Sequence, residues 1–250
     1  AVMLPIVNLG PLALPLPGLL LIGGVWLATL TIDREAGRRS LSANTLNNLV
    51  FIGLIGGILG ARLGYVLRHI DAYVNVLPDI FSLNTSTMSL GDGLLAGSIA
   101  ALIYAQRRDL PLWPTLDAFT PGLALFSIFV GFSHLASGDA YGAPTSLPWA
   151  LRLWGAERHP SQVYEIAAAL LVFWIVSRLK LAAPFPGFLF LTFIAASAAG
   201  RVFLEAFRGD SEIVFGGVRS VQLLGLTVLL LGLFGLHLLA KDARTMKAES

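Results

Sequence analysis

The sequence predicts an all-α integral membrane protein of seven transmembrane helices, and three observations predict it. Of the 250 residues, 56% are hydrophobic and only 13% charged, about half the charged share of an ordinary soluble domain. Seven stretches reach the roughly 20 mostly apolar residues a span requires: near 12–32, 46–68, 88–106, 115–136, 161–178, 186–207 and 219–240. The basic residues alternate. Arg34, Arg38 and Arg39 follow the first stretch, Arg107 and Arg108 the third, Arg178 and Lys180 the fifth, and Lys241, Arg244 and Lys247 the seventh. These are ten of the 17 Lys and Arg. By the positive-inside rule that side is cytoplasmic, which puts the N-terminus outside and the C-terminus in the cytoplasm.

Taken in order, the spans differ in quality. The third is weakened at its start by Gly91-Asp92-Gly93, the fourth carries Pro121 and His134, and the seventh is almost featureless. The second holds Gly56, Gly57, Gly60 and Gly64, small residues that let helix backbones approach closely. Between spans two and three, residues 69–87 mix Tyr73, Val76, Leu77, Ile80 and Phe81 with Asp71, Asn75 and Asp79, as an interfacial outer arm would. Residues 137–160, with Pro144, Pro148, Trp149 and Trp154, read as a small aromatic-anchored outer cap. No internal repeat appears, and residues 1–250 read as a single membrane domain.

Composition excludes several classes of function. There is no cysteine, so disulfides, thiolate metal sites and a catalytic thiol are ruled out. A net charge of +2, with the basic residues confined to short loops, argues against a nucleic-acid partner. HExxH, P-loop, GxGxxG and GxSxG patterns are missing, and His69, His134, His159 and His237 lack zinc-ligand spacing. No metal or cofactor is expected.

The chemistry therefore falls to charges near helix ends. Arg201, Glu205 and Arg208 are spaced i, i+4, i+7 and would share one face of a helix. Charges there need a protein interior or a wet cavity, so they mark a functional site or an ion pair that locks neighbouring helices. Arg62 in Gly60-Ala61-Arg62-Leu63-Gly64-Tyr65 either binds or snorkels to the interface. Arg158-His159-Pro160-Ser161-Gln162-Val163-Tyr164-Glu165 opens the fifth span, where free backbone N–H groups and Arg158 suit a lipid phosphate. Pro160 fits the first turn of that helix, and Gln162 and Glu165 share a face. Asp117 stands where a carboxylate favours its own helix N-terminus. His134, with Asp139 five residues on, offers a general base or merely a hydrogen-bonded side chain.

Together, Leu9-Gly10-Pro11-Leu12, the Arg62 segment, the eight residues 158–165 and Arg201…Glu205…Arg208 resemble the prolipoprotein diacylglyceryl transferase family. Asp117…Pro121-Gly122-Leu123-Ala124-Leu125 and Gln222 fall in the same order. The resemblance implies a multi-pass protein of the bacterial cytoplasmic (inner) membrane, working in lipoprotein biosynthesis. Its substrates would be a phosphatidylglycerol-like phospholipid and a lipoprotein precursor. The diacylglyceryl group passes to the precursor's cysteine thiol and glycerol phosphate leaves, with cations on the phosphate and a base for the thiol. On this basis Arg201, Glu205, His134 and Asp139 are the catalytic candidates. Arg62, Arg158, His159, Gln162, Glu165 and Arg208 are the lipid-binding ones.

Other positions depart from the family pattern. The His-Gly-Gly motif that opens span three becomes Gly91-Asp92-Gly93. In the motif after span four, Gly131 stands for the phosphate-binding Arg, His134 for the first Asn and Asp139 for the Glu. Pro17 and Ser197 replace two tyrosines. The departures leave a second reading open: a non-catalytic lipid-binding subunit of a larger membrane assembly, such as a bioenergetic complex, with membrane-protein partners.

Overall fold

The computed structural model describes residues 6–9, 12–74, 76–82, 84–211 and 213–249. Gly10 and Pro11 of the N-terminal motif, and Asn75 of the arm, lie outside the described residues. The chain divides into two compact units, one of residues 1–35 with 116–250 and one of residues 36–115.

In the larger unit, β1 (Ile6–Leu9) and β2 (Leu12–Pro15) pair antiparallel, with Ile6 opposite Pro15. The first span therefore begins at Leu16 rather than near residue 12, since Leu12–Pro15 is taken up by the hairpin. It forms α1 (Leu16–Arg38). In the smaller unit, α2 (Ala43–Arg68) is capped by Ser42, which accepts from Thr45 N. The arm follows as the short α3 (Ile70–Tyr73) and two 3₁₀ turns, Leu77–Phe81 and Thr85–Thr87. Then comes α4 (Leu90–Arg107). Helices α2 and α4 touch backbone to backbone: a Cβ on Gly97 would lie 2.6 Å from Gly53 O, so only glycine fits there.

The remaining helices are α5 (Leu112–Ser137), α6 (Ser161–Leu179), α7 (Phe188–Leu204) and α8 (Ser220–Glu249). Two small hairpins join them. β3 (Leu151–Leu153) pairs with β4 (Ala156–Arg158), and β5 (Ile213–Phe215) with β6 (Val218–Arg219). The β3–β4 turn holds Trp154 and Gly155 at φ 51° and 76°, the paired positive angles that a two-residue hairpin turn favours. Trp154 bears this because its indole is tied to Gly138 O at 3.2 Å. Helix α8 runs beyond the expected 240, because Lys241 to Glu249 contains neither Gly nor Pro to stop it.

Among the described residues, six helices are long and apolar enough to cross a membrane: α1, α2, α5, α6, the α7 segment through Phe207, and α8. The third expected span is helical but falls short of them, with Asp92, Gln106 and Arg107 among its 18 residues.

The core of the larger unit joins Ala124 on α5, Val172 and Val176 on α6, and Leu189 and Phe193 on α7. Asp117 is fully buried and serves another helix. It accepts from Gly187 N at 2.8 Å and Phe190 N at 2.9 Å, capping the start of α7 seventy residues away. On α1, Gly24 and Gly122's neighbour Ala28 mark the close approach to α5: a Cβ on Gly122 would meet Ala28 O at 2.9 Å. These contacts hold α5 against α1 and α7. The site lies where α5 and α7 end and α6 begins.

Candidate functional site

Three helix termini converge: the end of α5, the start of α6 and the end of α7. A cavity of about 200 Å³ opens among them, lined by Glu165, Arg201 and Arg208 with Ser127, Ser161 and Ser197. Glu165 comes from the first turns of α6, where Val163 N and Tyr164 N both bond Pro160 O. The helix proper starts at Ser161, where the expected span begins, with Pro160 as its N-cap rather than in its first turn. Ser161 Oγ donates to Ala140 O at 2.5 Å, docking that first turn against the cap.

Arg201 sits in the last turn of α7 and meets Glu205 at 3.2 Å, the i, i+4 pair that its spacing implies. Glu205 is fully buried and also accepts from Ser211 Oγ. Only Nε of Arg201 is engaged in this way; its two Nη groups have no partner among the described residues. Arg208 reaches the cavity by another route. The α-helix ends at Leu204, residues 205–207 tighten into a 3₁₀ turn, and Arg208 is extended. It is therefore not on the same helical face as Arg201. Its Nε and Nη2 grip Asp210 at 2.9 and 2.6 Å, and its carbonyl accepts from Arg219.

His134 Nδ1 lies 2.8 Å from Glu165 Oε2, with the two side chains 32% and 23% exposed. Asp139 is exposed and meets the site only through its main chain: its carbonyl accepts from Gln162 Nε2 at 2.8 Å. Gln162 is fully buried.

The cap is stitched to the helix ends by backbone bonds. Ala143 N bonds Phe207 O, Gly209 N bonds Tyr141 O, and His159 N bonds Ala143 O. Arg158 reinforces this seam, donating to Leu153 O and Gly142 O at 3.2 Å each, with its guanidinium 4.8 Å from the Tyr141 ring. His159 packs edge-on against Phe207, ring centres 5.3 Å apart. Arg62 belongs to the smaller unit, where it is buried and bonded to the arm: Nε to Ile80 O and Nη1 to Thr87 O at 2.8 Å each, and Nη2 to Asp79 O.

The structure thus gathers Glu165, Arg201 and Arg208 on one cavity, with His134 and Glu205 directly behind. Sequence reading missed Asp210 and Ser211. The Arg208-Gly209-Asp210 spacing, i to i+2 in extended backbone, was the available signal for the first.

At two positions where the family pattern is broken, the space differs. A Cβ on Gly131 would lie 2.7 Å from Ile166 Cγ1 and 3.3 Å from its backbone N, whereas Gly91 has nothing within 4 Å. A long side chain has room at 91 and none at 131.

A family model of prolipoprotein diacylglyceryl transferase matches residues 5–238. The chain belongs to this family. Relatives carrying the name phosphatidylglycerol–prolipoprotein diacylglyceryl transferase align over nearly the whole length. That of Trichormus variabilis is 30% identical, covering 92% of this chain and 87% of its own. That of Synechococcus elongatus is 28% identical over 92% and 85%, and that of Clostridioides difficile 26% over 93% of each. As a family member with, among the described residues, six helices long and apolar enough to cross a membrane, the chain is a multi-pass membrane protein.

Proposed function

We propose that this chain binds a phosphatidylglycerol-type lipid in the α5–α6–α7 cavity and transfers its diacylglyceryl group to a lipoprotein-precursor cysteine. The observation that carries this is the Arg201 guanidinium: it lines the cavity, is anchored by Nε on Glu205, and leaves its Nη fork for an anion. A planar fork of that kind matches a phosphate. Arg208, locked on Asp210 beside the same cavity, adds a second cation. Charge developing on the phosphate as it leaves is thus met by pre-set donors, which is where such a site gains most of its rate. In this reading the protein lies in the bacterial cytoplasmic membrane, α4 is the seventh span, and the cavity faces outward, opposite a cytoplasmic C-terminus.

The test uses the purified full chain in phosphatidylglycerol vesicles with a lipobox peptide. A thioether-linked diacylglyceryl peptide is expected, and it should vanish when phosphatidylethanolamine is the only lipid. Lack of product beside an active relative would remove the transferase reading.

A second reading is favoured by Gly131, which lies flush on Ile166 where the family has a phosphate-binding arginine. Here the chain holds lipid without transferring it, as a subunit of a larger membrane complex of the bioenergetic kind. Mild-detergent purification would then return a stoichiometric complex, bound lipid and no turnover.

A further inference from the structure

We propose that His134 and Glu165 form a proton-accepting dyad: Glu165 holds the ring by Nδ1, and His134 Nε2 takes the proton of the acceptor thiol. The inference rests on the transferase reading and names the base that reading requires. An ionised carboxylate only accepts hydrogen bonds, so a Glu165 oxygen 2.8 Å from Nδ1 fixes that nitrogen as the protonated one. The lone pair then resides on Nε2, which has no partner among the described residues. The His134 side chain is 32% exposed, one residue behind the cavity wall formed by Glu165. This is the logic by which a carboxylate orients a histidine and stabilises the imidazolium it becomes, on a different scaffold.

Asp92, His69 and His159 stand in other contacts. Asp92, in the span-three segment where the family carries its histidine, has both carboxylate oxygens gripped by Arg68, at 2.5 and 2.6 Å. The Nδ1 of His69 is against Tyr65 O at 2.9 Å and its ring is stacked on Tyr65. His159 packs between Tyr164 and Phe207.

Charge around the cavity points the same way. Arg201 is matched by Glu205 on its own segment and Arg208 by Asp210, so each cation already has a carboxylate. Glu165, on α6, also feels Arg201 and Arg208, but its direct partner is His134 on α5. Asp139, in the turn after α5, is exposed and bonded through its backbone. A proton arriving on His134 is therefore neutralised by Glu165 without drawing on either arginine. In the step itself the thiol proton passes to Nε2, the sulfur–carbon bond forms, and the glyceryl carbon–oxygen bond breaks. Its electron pair leaves on the phosphate oxygen beside Arg201, and the proton is later released to water or to the departing glycerol phosphate.

The experiment compares the full chain with His134→Gln, His134→Asn, Glu165→Gln and Glu165→Asp, measuring lipid binding and transfer separately across pH. His134→Gln should bind phosphatidylglycerol vesicles within about threefold of the parent and lose about 10²-fold in kcat. Glu165→Gln removes the charge that favours imidazolium, so the rising limb of its rate–pH profile should move to lower pH with a reduced plateau. Glu165→Asp should restore part of both. A purely structural role would lower rate and binding together and leave the limb in place, which would overturn the dyad. Full transfer by both His134 variants would overturn it as well. If the parent binds lipid but makes no product, the transferase reading falls, and the dyad falls with it.

Discussion

Arg62 and Arg201 each stand near the end of a long apolar helix, and they use their donors in opposite ways. Arg62 is 6% exposed and bonds Ile80 O, Asp79 O and both oxygens of Thr87, with Tyr73 beneath it at 5.2 Å. Arg201 engages a single carboxylate through Nε and turns its fork to a cavity. One guanidinium is a staple that closes the arm onto α2. The other is held in place with its recognition edge unused. A buried cation must be fully partnered or be waiting for a partner, and counting donors separates the two cases where helix position does not.

That contrast can be broken most directly at Arg201. Arg201→Lys, which keeps a cation beside the buried Glu205 but removes the planar fork, should cut lipid transfer by roughly 10²–10³-fold while the thermal unfolding midpoint in detergent stays near that of the parent. A large loss of stability with lipid binding intact would make Arg201 a staple too. Next in size, Arg62→Met should cost about 3 kcal/mol of unfolding free energy, since it orphans several buried acceptors at once. Faster proteolysis between residues 77 and 87 would accompany it, and denaturant unfolding with limited digestion checks both. Smallest is Asp117→Asn, which keeps one acceptor for the α7 N-terminus and loses the charge. It should cost about 1 kcal/mol, read as a modest drop in unfolding midpoint. An unchanged midpoint would mean that the bonds to Gly187 and Phe190 contribute nothing measurable.

The sequence revealed local features of both regions and few of the long-range ones. Apolar runs placed the helices, and i, i+4 spacing placed Arg201 beside Glu205. The start of α6 falls at the expected residue 161, because Pro-Ser after His159 is a helix-opening signal. Helix end points are less visible: α7 gives way to a 3₁₀ turn at Glu205, which carries Arg208 off the face that a continued helix would give it. Partners distant in the chain are not encoded in spacing at all. Asp117 finds α7 seventy residues on, and His134 finds Glu165 thirty-one residues on. Arg158 reads like a ligand beside a helix mouth, yet two of its donors go to loop carbonyls that only the folded cap brings near. Each of these is settled by tertiary packing, where a single sequence gives residue types but no neighbours.

Gly131 carries a consequence for any attempt to rebuild the site. A side chain there would run into Ile166 on the facing helix, one residue from Glu165. Introducing an arginine at 131 therefore demands a simultaneous change at 166. Either change alone is a loss: a lone arginine is overpacked, and a lone small residue at 166 leaves a void. The two positions are epistatic, and neither ordering of single steps is free of a disfavoured intermediate. Packing against Ile166 thus acts as a lock: an anion site is strengthened far more readily at residues already facing the cavity than by an arginine at 131.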